Sequence, residues 1–446
     1  MDEQDRARIL DAIGVPLVDF ATPCRWSDKE PEIRGRFASV WRERNGSHLP
    51  VPELPKPSHT IDFSNTHFEK RFTADEMYFP SSIVKFTGAR FDGISEFCGA
   101  HFRGKVQGSR ASFQSDFFAR KARFDMGVDF FRAKFSSLAD FADTCFCAPA
   151  SFTRARFGGD ALFVTSKFHS SSKFSESEFE KDADFRSTVF NAGARFERTS
   201  FCDVASFAGG EFHAASNPSK SIAFSHSVFE RPTSFRQALF LDGYPDFPGA
   251  VLHDKTSFTA RMDPTSDEIA QDKDLEGRTF WPQRTKQDPV SARESCATIR
   301  HLLTQQGLPE EAHFFFRREM RFASQIGSFW QRLPYRSFGW LSDFGYSIQR
   351  PLWWLAGIWF LGMAAFWTVF SFPSGPPVLS ESDLGTAAAL SFSNLFPLFG
   401  FGRVFLSEVL AGLPRWAQVL SGAQTVLSLP LLFFLGLALR QRFRLR

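Results

Sequence analysis

The sequence predicts a mainly β protein: a solenoid of short stacked coils, followed by a helical hairpin and two transmembrane α-helices. Three observations predict it. Sixteen phenylalanines fall at 130, 135, 141, 146, 152, 157, 163, 168, 174, 179, 185, 190, 196, 201, 207 and 212, at intervals that alternate five and six. Two residues before each stands something small or β-branched: eight Ala, three Ser, three Thr, one Val and one Gly. Two long uncharged runs then lie near the C-terminus. A period of five or six fits neither the 3.6 of a helix nor the 2 of an extended strand. It fits a backbone that turns a corner once per unit, with one large and one small inward residue per unit.

Composition narrows the function classes. Phe accounts for 57 residues and Tyr for only 4, a bias carried by the repeat. A net charge of +3 is too small to imply nucleic acid as a partner. The acidic start Met1-Asp2-Glu3-Gln4-Asp5 leads into no apolar run, so no secretory signal is expected. The six cysteines (24, 98, 145, 147, 202 and 296) lack metal-ligand spacing, and a reducing, cytoplasmic setting fits them. Cys145-x-Cys147 flanks the inward Phe146, so both sulfurs point outward and read as a pair of free thiols.

Residues 1–60 read as an N-terminal cap and linker, with Pro50, Pro52, Pro55 and Pro57 forming an extended tether. Such a cap covers backbone groups that the first coil leaves unpaired. The repeat occupies residues 61–258, starting loosely at Phe63 and Phe68, irregular through Phe72 and Phe79, and regular after Phe86. One Phe is missing near Val106, and Asn217-Pro218-Ser219 interrupts between Phe212 and Phe224. Gly, Ser, Asn and Pro at both gaps predict loops bulging from a corner.

Units such as Ala183-Asp184-Phe185-Arg186-Ser187 and Ala139-Asp140-Phe141-Ala142-Asp143 resemble those of the pentapeptide-repeat family, Ala-(Asp/Asn)-Leu-x-x, with Phe in the Leu position. The resemblance covers about 180 residues and implies a right-handed quadrilateral β-helix with one unit per face. Four units then take about 22 residues per coil, and roughly nine coils at ~4.8 Å each make a rod of roughly 40 Å.

Residues 259–290 are polar, with Asp263-Pro264 and Asp288-Pro289 as breakers, and read as a linker. An αα-hairpin is predicted over 291–325. Ser291-Ala292-Arg293-Glu294 reads as a capping box, Gly307 as a helix stop, and Pro309-Glu310-Glu311 as the second start. His301 and His313 have no acid or thiol at catalytic spacing and read as structural or solvated.

Residues 326–446 read as a membrane module. Leu352 to Phe372 is 21 residues without a charge, about 31 Å as a helix, which is long enough to cross a bilayer. The second span is 416–439, with Pro430 inside it. Arg332, Arg336 and Arg350 precede the first span; Arg440, Arg442, Arg444 and Arg446 follow the second; Arg403 and Arg415 lie between. The positive-inside rule therefore predicts cytoplasmic N- and C-termini, in a bacterial-type inner membrane. Phe329 to Tyr346 reads as an interfacial helix feeding the first span. The segment 384–402 is too short to cross and reads as re-entrant or interfacial.

That segment ends in Phe399-Gly400-Phe401-Gly402, and span, short helix, Gly-aromatic-Gly, span resembles the two-span pore-loop potassium channels. There the loop carbonyls replace the hydration shell of the ion. The resemblance implies Gly400, Phe401 and Gly402 as pore-loop residues and a homo-oligomer around an axis. The chain departs from the family at Leu398, Phe399 and Arg403, which stand where Thr, Val and Asp are usual, and Pro397 precedes them.

No enzyme motif is present: no Gly-x-Ser-x-Gly, no Gly-Lys-Ser/Thr phosphate loop, no metal-spaced His or Cys cluster. No catalytic residue, cofactor or metal is expected. The DNA mimicry that the resemblance implies for some pentapeptide-repeat proteins needs an acidic rod, yet residues 61–258 hold 24 Lys/Arg and 24 Asp/Glu. Two functions remain. One is a cytoplasmic sensing domain coupled to a pore-loop-like, possible ion-conducting module. The other is a membrane-tethered interaction scaffold that offers Arg154, Arg156, Lys167 and Lys173 to a protein partner. The lipid bilayer is a partner in both.

Overall fold

A computed structural model describes residues 60–444, except 80, 214–221, 286, 372–382, 401–403 and 405. The expected N-terminal cap therefore lies outside the described residues, as does the interruption at Asn217-Pro218-Ser219. The chain divides into two compact units, Met1–Phe315 and Phe316–Arg446.

In the first unit, short strands from Thr60–Asp62 to Ser257–Phe258 pair in parallel, each before Ala194–Arg195 with the strand four places on and the last ones at closer steps, and so build four sheets of seven, eight, nine and eight strands among the described residues. This is the predicted solenoid. Val128↔Ala150 and Lys134↔Arg156 give the spacing of 22 residues per coil. Phe130, Phe135, Phe141 and Phe146 are buried, one to each sheet in turn, and their rings stack on those of the next coil. Phe135–Phe157 and Phe141–Phe163 stack at 5.0 and 4.9 Å, both within 4° of parallel. Rings of opposite sheets meet edge to face, as Phe152 meets Phe163 at 5.5 Å and 83°. Both arrangements suit the aromatic quadrupole.

The five-residue intervals are hydrogen-bonded turns. Ala133 N donates to Phe130 O and Ala155 N to Phe152 O, at 3.0 and 2.9 Å. The third residue of each turn has a positive φ, as type II turns require. These residues recur every eleven positions: Arg110, Lys121, Arg132, Asp143, Arg154, Thr165, Glu176, Ser187 and Arg198. The left-handed region disfavours side chains, but each such amide is paired with the next coil, as Arg132 N is with Thr153 O at 3.0 Å.

The gap near Val106 is not a bulging loop. Lys105–Gln107 is an ordinary strand, and Val106 stands between Val84 and Val128 in register. Gly108 occupies the large position, and the Phe130 ring leans into the space, 2.5 Å from where a Cβ would be. Large and small positions are exchanged at Phe72/Ala74 and Phe117/Ala119, all four buried. Phe117 then lies between Phe97 and Phe141, at 5.6 and 5.1 Å, where the residue at 119 would otherwise reach.

The polar stretch 259–290, which reads as a linker, carries buried Phe280 and Trp281. Trp281 stacks on Phe240 at 4.8 Å and donates Nε1 to Thr259 O at 2.7 Å. Helix α1 (Ser266–Gln271) starts on a capping box formed by Thr265 and Glu268. Helix α2 (Pro289–Gln305) starts two residues before the predicted Ser291 box, with Pro289 in its first turn. Helix α3 (Pro309–Ala323) follows Gly307 at φ 73, and the boundary between units falls within it. Side-chain amides finish the last coil: Gln287 pairs with both backbone groups of Tyr244, and Gln306 donates to Asp254 O and Thr256 O. These bonds replace those that a further coil would supply.

The second unit is helical: α4 (Phe329–Ser342), α5 (Gln349–Ser371), α6 (Asp383–Leu395), a 3-10 turn at Pro397–Phe399, α7 (Ser407–Gly412) and α8 (Arg415–Arg444). Two helices, Gln349–Ser371 and Arg415–Gln441, are long and apolar enough to cross a membrane. Helix α6 packs with both. Phe366 and Val369 of α5, Ala387 and Leu390 of α6, and Ala417 of α8 share one apolar cluster.

Candidate functional site

Each unit gathers polar side chains. In the helical unit, five side chains form a buried relay. Ser421 Oγ donates to Asn394 Oδ1 (3.0 Å), and Asn394 Nδ2 to Gln424 Oε1 (3.1 Å). Gln424 Nε2 then donates to Ser391 Oγ (2.6 Å), and Ser391 Oγ to Trp359 O (2.8 Å). Trp359 Nε1 returns to Ala388 O at 3.1 Å. Ser391, Asn394, Ser421 and Gln424 are all buried. Gly362 makes room, since a Cβ there would sit 2.5 Å from Gln424 Nε2 and 2.6 Å from Ser391 Oγ. The relay pins α6 between the two long helices and spends its polar atoms on neighbouring helices. That is how polar groups are retained away from water.

Of the pore-loop residues expected from sequence, Gly400 caps the turn Pro397–Phe399 with φ 69. Among the described residues nothing lies within 4 Å of where its Cβ would be. Phe401 and Gly402 lie outside the described residues. The relay residues escaped the sequence reading because isolated Ser, Asn and Gln in an apolar run carry no spacing signal.

On the solenoid, several outward residues are ion-paired between coils. Arg154 Nε meets Glu176 Oε2 at 2.8 Å, and Arg156 contacts Glu180. Lys167 and Lys173 are exposed on their strands. One sheet differs. Its strands Arg123–Phe124, Cys145–Phe146 and Lys167–Phe168 place Arg123, Cys145 and Lys167 in register on one outward column. The adjacent outward column, next after each Phe, carries Asp125, Cys147 and His169.

Cys145 Sγ and Cys147 Sγ lie 3.5 Å apart, and Arg123 Nη1 is 3.9 Å from Cys145 Sγ. Arg123 is held in place by Asp125 Oδ1 at 2.7 Å, and Asp125 Oδ2 accepts from His101 Nε2 at 2.6 Å. Burial pushes the Asp125 carboxyl up, but His101 and Arg123 outweigh it and hold it below its ordinary value. The hydrogen bond from Cys147 lowers the Cys145 thiol to about 6 against the effect of burial, with help from Arg123 and His169. The same contact and burial push Cys147 up. Among the described residues no group of three or more His, Cys, Asp or Glu could hold a metal ion.

Comparison with protein-family models, curated proteins and solved structures returned no match.

Proposed function

We propose that this chain is a non-catalytic, membrane-tethered scaffold, a pentapeptide-repeat rod of right-handed quadrilateral winding held at the cytoplasmic side of a bilayer by two spans. The observation that carries this reading is the inverted packing of the helical unit. Only 22% of each long apolar window is buried within the unit, whereas the core helix of a soluble protein is mostly buried. Trp353, Leu361, Val419 and Phe433 are exposed while Ser391, Asn394 and Gln424 are buried. Such a surface suits lipid and is a liability in water.

The rod offers a long, charge-mixed face suited to a protein partner. The Phe ladders fill the inside of the coils, so recognition of a protein falls to the outward columns.

Reconstitution into planar bilayers tests the tether against a pore. A tether gives no current above the lipid control. Current abolished by Gly400→Ala or Gly402→Ala would instead establish the pore-loop reading and overturn this one.

A further inference from the structure

We propose that Cys145 and Cys147 form a peroxide-reactive dithiol, a modification site on the solenoid surface that closes to a reversible disulfide across Phe146. The pair is built rather than accidental in three respects. The sulfurs touch at 3.5 Å although nothing links them. A cation that is itself buried, Arg123, stands beside the pair with Nη1 3.9 Å from Cys145 Sγ, and Asp125 and His101 fix its direction. Both thiols are partly exposed, so a small oxidant reaches them.

The two sulfurs have different roles. Cys145 is the attacking group, because thiolate is the nucleophile and a neighbouring cation favours it. Its lowered value, about 6, agrees with this assignment. Cys147 stays protonated and resolves the product. The Cys145 thiolate attacks one oxygen of hydrogen peroxide, the O–O bond breaks, hydroxide leaves, and Cys145 becomes a sulfenic acid. The Cys147 sulfur then attacks the Cys145 sulfur, the S–O bond breaks, and the S–S bond forms with release of water. Taken together, two thiols and one hydrogen peroxide give one disulfide and two waters.

Reversibility follows from the strand. Residues i and i+2 of an extended strand lie close to the widest Cα separation that a disulfide tolerates. Closure therefore strains the segment around Phe146, whose ring stacks on Phe124 and Phe168 at 5.2 and 4.5 Å. Strained disulfides are the readily reduced ones, and a dithiol reductant resets this one.

The test treats the full chain in detergent with hydrogen peroxide and follows the tryptic peptide 135–154, which contains both cysteines. The expected result is a loss of two hydrogens from this peptide, ~10-fold faster than oxidation at Cys98 and reversed by dithiothreitol. Cys98 is the internal control, because burial and Asp75 push its thiol up. Cys147→Ser should stop at a sulfenic acid trappable by a 1,3-diketone, and Cys145→Ser should leave a thiol no faster than Cys98. Arg123→Met should slow the reaction ~10-fold at pH 7 and raise the midpoint of the alkylation–pH curve, while Arg123→Lys restores most of the rate. Equal rates at Cys145 and Cys98, or oxygen gain without loss of two hydrogens, would overturn the proposal. These wild-type readouts do not depend on how any variant folds.

Discussion

The two units solve the same problem with opposite surfaces. The solenoid turns its phenylalanines inward and its charges outward, as a chain folding in water must. The helical unit hides Ser391, Asn394, Ser421 and Gln424 and exposes Trp353, Leu361, Val419 and Phe433. Buried rings dominate the interior of one, whereas the other hides a polar cluster beside its apolar ones. In the solenoid each coil gains from the next through ring stacking and backbone pairing. In the helical unit apolar clusters and a relay of hydrogen bonds together join the helices.

The largest break in this contrast comes from the ladder. Phe157 is fully buried and stacks on Phe135 at 5.0 Å and Phe179 at 4.7 Å. Phe157→Ala should cost about 3–5 kcal/mol in denaturant unfolding followed by β-sheet circular dichroism. Its effect should be confined to the solenoid transition. The reciprocal change is Gln424→Leu, which leaves Ser391 and Asn394 without their central partner. It should cost about 1–2 kcal/mol, read as a lower thermal midpoint of the helical signal in detergent with the β signal unmoved. Loss of both signals together would show that the contrast is not between independent regions.

The ladder was legible because every unit repeats it: the strict Phe spacing and the small residue two before it define four stacks. The exchange at Phe117/Ala119 was not, because it conserves volume across a pair and so looks like disorder in the pattern. Gly108 read as a loop signal, although the ring of Phe130 fills its place. The positive-φ corners were hidden because Arg, Lys, Thr and Glu occupy them instead of Gly, held by pairing to the adjacent coil. The C-terminal cap was missed for another reason. Gln287 and Gln306 act across 43 to 52 positions of sequence, and Trp281 lies in a stretch whose composition is that of a linker. In the helical unit, length and absence of charge marked the two long helices, whereas the relay depends on three helices meeting.

Two smaller effects sharpen the account of the solenoid. Thr165 is a β-branched residue at φ 57. Thr165→Gly should relieve backbone strain and raise stability by up to ~1 kcal/mol, less whatever its hydroxyl contact with Asp143 contributes. A melting temperature lowered by the substitution would mean that the contact outweighs the strain. The smallest effect concerns Glu268. Burial pushes its carboxyl up, but Gln237, the Thr265 amide and Arg261 together bring it down to about 2. A depressed carboxyl contributes stability that is complete above its unfolded value of about 4.3 and is lost as pH falls through the folded one. The stability difference between wild type and Glu268→Gln should therefore be full at pH 7 and shrink between about pH 4 and pH 2. A difference independent of pH would assign the effect to the amide geometry alone.

The inverted surface of the helical unit is the claim on which the functional reading stands, and alkaline carbonate extraction of membranes carrying the full chain tests it most directly. The account predicts that the chain stays in the membrane pellet and is released only by detergent. Recovery in the carbonate supernatant would contradict it.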